Sequence, residues 1–165
     1  MTDVTAIKRA AGMATATLAL GLVPLVGPAS VSVAADQTAS TQLAAAGDGT
    51  ADGAIQWMQE HDGDSSYEGY CEMAVENAWG TTGQWPSAID HWYGAVNAGK
   101  AHEGDYNPPA GAFVYWNTSQ YGHVGIADGA GGFYSSSYGG AIGHGDSLDY
   151  FVNYLGWSDP QVPQG

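Results

Sequence analysis

Every helical period in this 165-residue chain lies before Asn107-Pro108-Pro109, and every strand pattern lies after it. Proline has no backbone N–H and pushes the residue before it out of the helical region, so the pair bars a helix at this point. Helices first and strands afterwards is the order of an α+β domain. Upstream, Ala54 to Glu60 reads as a short helix with Ile55 and Met58 inward, Asp52 as its cap and His61-Asp62-Gly63 as its stop. From Cys71 to Trp79 the residues Ala74, Val75 and Ala78 recur at helical spacing, with Glu72 and Glu76 together on another face and Gly80 ending the run. Ser87 to Ala98 forms a third helix, with Ala88, Trp92, Ala95 and Val96 as its inward stripe.

Downstream, Gly111–Trp116, Gly122–Ala127 and Phe133–Tyr138 read as strands, and Ala141-Ile142 and Phe151-Val152 suggest others before Tyr154-Leu155-Gly156-Trp157. A small antiparallel sheet of about five strands is expected, with Trp92 and Trp116 in the core. Val124 and Ile126 share one strand face; His123, Gly125 and Ala127 share the other. Asp128 to Gly132 is a glycine-rich reversal. An even-sum register across it sets Ser135 opposite Gly125, on the His123 face, and Ser137 opposite His123.

The N-terminal stretch reads as an export signal over residues 1–35. Lys8 and Arg9 precede an apolar run from Ala10 through Val26, and Val33-Ala34-Ala35 is a cleavage site of small residues. Residues 36–53 have no apolar period and read as a flexible linker, leaving 54–160 as one folded domain. A secreted, extracellular monomer without membrane attachment after signal removal is expected. The formal net charge is −14, with 17 acidic residues against 3 basic, and Lys100 is the only lysine or arginine beyond the signal. Nucleic-acid binding is excluded on that balance, because neutralising phosphates takes clustered lysine and arginine.

Cys71 is the only cysteine. A lone thiol in an oxidising compartment is a chemical liability, which makes it the first candidate nucleophile; the plain alternative is a small buried hydrophobe. Its place at the first turn of a helix favours thiolate, since unpaired N–H groups and the helix dipole point there. Amide hydrolysis also needs an imidazole to take the thiol proton and protonate the leaving amine. Of five histidines, His123 is the best partner, because Gly122 and Gly125 leave open space around a ring at a strand start. His61, His91 and His102 read as solvated, and His144 is the runner-up.

Taken together, Tyr67-Glu68-Gly69-Tyr70-Cys71 opening a helix, then Pro108-Pro109-Ala110-Gly111-Ala112-Phe113-Val114-Tyr115-Trp116, then Gly122-His123-Val124-Gly125-Ile126 resemble the CHAP and NlpC-like cysteine hydrolases. The resemblance runs from about Ala54 to Trp157. It implies a papain-like fold and a secreted amidase or endopeptidase acting on peptidoglycan stem peptides or cross-bridges. Cys71 matches the nucleophile and His123 the general base. The family's third, imidazole-orienting residue falls at Ser135 by ungapped counting, with Ser137, His144 and Asn117 as alternatives. A serine carries no charge, so it stabilises imidazolium less than a carboxylate would. Tyr67, Tyr70 and Gly122 are the expected cleft-lining residues. No cofactor is expected, with calcium at Asp62 and Asp64, helped by Glu68 and Glu72, as a carried-over alternative. The uncharged third position also suits a different class: a non-catalytic binding module that keeps the papain-like shape.

Overall fold

The computed structural model describes residues 47–159; the expected signal and most of the expected linker lie outside them. Helix α1 spans Ala51–Glu60, three residues longer at its start than expected. Thr50, not Asp52, caps it, its hydroxyl accepting from the Gly53 N–H at 3.0 Å. Ala54, Trp57 and Met58 form its buried stripe. A 3₁₀ turn at Ser65–Tyr67 follows, then α2 over Cys71–Ala78 and α3 over Ala88–Asn97. Ser87 caps α3 by accepting from the Asp90 N–H.

The strands are β1 (Ala101–Glu103), β2 (Phe113–Trp116), β3 (His123–Ala127), β4 (Phe133–Tyr138), β5 (Ala141–Gly145) and β6 (Tyr154–Ser158). They form one antiparallel sheet in the order β1-β6-β2-β3-β4-β5. The fold is α+β, with six strands where about five were expected. Two things account for the count. β1 lies before the proline pair and is only three residues long, too short to show a period. Phe151 and Val152 are not a strand but part of the bend leading into β6.

Strand β2 is buried on both faces, and its alternation sorts the core into two clusters. Phe113 and Tyr115 join Val124, Ile126 and the inner faces of α1, α2 and α3. Val114 and Trp116 join Ala127, Phe133 and Leu148 on the side away from the helices. Trp92 and Trp116 are core residues, as expected. Trp116 is fully buried, and its indole N–H is satisfied by the Leu148 carbonyl at 2.7 Å, which fastens the 146–153 loop over that face.

Candidate active site

Cys71 is the first residue of α2, where its own side chain packs partly buried against the helix-side cluster. Tyr70 precedes it without a side-chain cap, so the first-turn N–H groups of α2 have no capping partner from that residue. The backbone N–H of Val124, the residue after His123, is directed at the Cys71 sulfur. Burial nevertheless pushes the thiol up to about 11; the Val124 and Glu72 backbone amides pull it down less than that, and the Glu72 charge raises it further. The thiolate expected from helix position is therefore overturned by desolvation.

His123 opens β3 opposite Trp116 and turns toward the other cluster, against Phe151 with ring centroids 4.3 Å apart. It is 7% exposed, and burial lowers it to about 4. Ser135 Oγ lies 2.7 Å from its Nε2, 2.8 Å from the Val124 carbonyl and 3.0 Å from the Ser136 carbonyl. The β3–β4 register is the even-sum one expected, with Ile126 opposite Tyr134 and Ala127 opposite Phe133. Ser137 sits at a bulge in β4 with φ 64°. No hydrogen bond joins Cys71 to His123 among the described residues, although the thiol abuts the backbone one residue away.

The other expected residues divide. Tyr70 is 60% exposed on the rim of a cavity of about 580 Å³ whose wall includes Cys71. Tyr67 does not line that cavity; it packs edge-on against Trp57 and accepts from Nδ2 of Asn77, which is a lining residue. Gly122 is buried with φ +69°, and a Cβ there would meet the Ile89 backbone nitrogen at 3.0 Å. A Cβ on Gly125 would meet the Tyr134 carbonyl oxygen at 2.6 Å. These glycines serve close backbone packing rather than open space around the ring. His144 is engaged by Asp128 and Asp146, and the side chain that meets the His123 ring nitrogen is that of Ser135, not Asn117. Asp64 caps the 3₁₀ turn, and no group of three or more metal-ligating side chains occurs among the described residues.

Sequence reasoning missed the acidic wall of the cavity. His91, expected to be solvated, is fully buried, because its place beside Trp92 between Ala88 and Ala95 puts it on the inward stripe of α3. Its Nδ1 meets Glu72 Oε1 at 2.8 Å. Glu76 is buried too, accepting from the Trp85 backbone N–H at 2.8 Å. Burial, then the charges of Glu76 and Asp90, raises Glu72 well above the usual carboxylate range, and burial lowers His91 to about 3. Both shifts favour the neutral forms, so burial weakens any ion pair between the two.

No family model matches the chain, and no curated protein matches it.

Proposed function

We propose that this domain is a papain-like cysteine amidase or endopeptidase, secreted and acting on peptide amides of bacterial cell wall, as the resemblance implies. The observation that carries the reading is the Ser135 contact at His123, placed one residue from the backbone amide that faces the Cys71 thiol. Carbonyl oxygens only accept, so the single Ser135 proton goes to Val124 or Ser136, and Oγ is left to accept from Nε2–H. That tautomer leaves the lone pair on Nδ1, which is what a general base requires.

In this mechanism the His123 ring turns from Phe151 toward the thiol, and the Cys71 S–H proton passes to its Nδ1 as sulfur bonds to the amide carbonyl carbon. First-turn N–H groups of α2 receive the oxyanion. The imidazolium returns its proton to the leaving amine as the C–N bond breaks, giving a thioester. A water, deprotonated by His123, then releases the acid and the thiol. With burial pushing the thiol up to about 11 and the imidazole down to about 4, proton transfer is strongly uphill before substrate arrives. The resting pair is therefore neutral, and transfer accompanies attack instead of preceding it.

The same electrostatics favour the second reading, a non-catalytic module, together with the missing Cys71–His123 hydrogen bond. A cell-wall digestion assay separates the two. Digestion by the wild type that is abolished in Cys71→Ala and His123→Ala is the expected result. An unchanged rate in Cys71→Ala would falsify the mechanism, and an inert wild type favours the module.

A further inference from the structure

We propose that the cavity beside Cys71 binds a primary ammonium group, with Glu72 Oε2 as its principal acceptor. Glu72 lines the cavity and is 7% exposed. His91 occupies its Oε1, while Oε2 is buried with no hydrogen-bond partner. A buried polar oxygen left unpaired is costly, and such atoms find a partner in protein, water or ligand. Glu76, one helical turn further along α2 and 1% exposed, faces the same cavity and adds a like charge.

No cation of the described chain relieves this pair. Its one lysine or arginine, Lys100, is 3.2 Å from Asp159 at the β1–β6 edge of the sheet. An ammonium at Oε2 would draw Glu72 toward its ionised form and supply the missing donor. The rim carries Tyr70 and Tyr121, 60% and 65% exposed, whose ring faces attract an ammonium at short range.

The chemistry selects among cations. A guanidinium binds best through a two-pronged contact to both carboxylate oxygens, but His91 holds one of them. Calcium takes six to eight oxygens, and no three metal-ligating side chains gather here among the described residues. An ammonium is a compact donor that one free oxygen can engage. Because Glu72 follows Cys71 in the chain, the bound amine would lie beside the scissile amide. The substrate class is then a peptide with a free amino group next to the cleaved bond. That assignment to a substrate rests on the amidase reading; the ammonium binding itself does not.

The test is calorimetric titration of the full chain with glycinamide and with N-acetylglycinamide, its uncharged counterpart, at neutral pH and matched ionic strength. Glycinamide should bind about tenfold more tightly or better. Glu72→Gln, which keeps an oxygen for His91, should erase that preference. No measurable glycinamide binding, equal binding of the two amides, a preference retained in Glu72→Gln, or displacement of glycinamide by calcium overturns the proposal. Should Glu72→Gln fail to fold, the wild-type comparison decides alone. Binding is read without turnover, so a chain inert on cell wall that still prefers glycinamide would sink the amidase reading and leave the cation site standing.

Discussion

Ser135 holds the His123 ring by its Nε2 at 2.7 Å while the same hydroxyl faces two backbone carbonyls. The arrangement fixes direction as well as distance. With its proton committed to a carbonyl, the hydroxyl can only accept from the ring, and the tautomer follows from that shortage of donors.

Replacing Ser135 with alanine should therefore release the ring without moving the strand. In ¹⁵N spectra, His123 of the wild type should show Nε2 protonated and Nδ1 bare at neutral pH. Ser135→Ala should show a mixture. General-base assistance is worth on the order of 10²–10⁴ in rate, and partial loss of the right tautomer should forfeit roughly ten- to a hundredfold in kcat/KM. Stability should fall by about 1 kcal/mol, since a carbonyl and the ring N–H lose a buried partner. An unchanged tautomer would show that Ser135 does not orient the ring.

Thiol chemistry gives a second prediction. Held near 11, Cys71 is a protonated thiol at pH 7, and the thiolate is the species that alkylates. Iodoacetamide should label the native protein slowly at neutral pH, and the rate should climb through pH 9 and 10 without levelling. A plateau below pH 8 would mean that the His123 ring reaches the sulfur and stabilises the thiolate in solution.

Much of this layout is legible in the sequence because periodicity reports faces. The period of Ala74, Val75 and Ala78 places Cys71 at a helix start, and alternation places His123 and Ser135 on one side of the sheet. Periodicity does not report what covers a face. Phe151 packs on His123 from a bend, and an apolar pair looks alike in a bend and in a strand. Glu72 and Glu76 at i and i+4 read only as a second face of the helix, and what covers that face is not written there; the packing of α3 and the Trp85 segment against α2 buries them. The Cys71 thiol was misjudged for the same reason. Helix position is written in the local sequence, whereas desolvation is set by distant segments.

Gly125 links the two halves of the proposed base. A methyl group there would lie 2.6 Å from the Tyr134 carbonyl oxygen and 3.1 Å from Ser135 Cβ, and the nearer of these is backbone that cannot rotate away. Gly125→Ala should push β3 and β4 apart, cost about 1–3 kcal/mol in urea unfolding, and lose the His123–Ser135 contact in the same ¹⁵N spectra. A variant as stable as wild type with the tautomer intact would mean that the strands already have room for the methyl.

Acid should unfold the domain earlier than its exposed carboxylates alone would. His91 and His123 are held near 3 and 4 in the folded state against an ordinary 6.5. Below 6.5 the unfolded chain therefore binds about two protons that the folded chain refuses, and stability falls with pH until the folded histidines titrate. Glu72 acts in the opposite sense. Raised by burial, its carboxyl favours the protonated form in the folded state over a wider pH range than in the unfolded chain, which offsets part of the histidine effect. The two histidines alone would cost up to about 2.7 kcal/mol per pH unit between about 5.5 and 4.5, and Glu72 lowers that slope. Urea unfolding at pH 6, 5.5 and 5 should show stability falling with pH. Glu72→Gln removes the opposing group, so its slope should steepen toward about 2–3 kcal/mol per unit. A flat profile over this range would mean that the two histidines take up protons in the folded state and are not sealed from water.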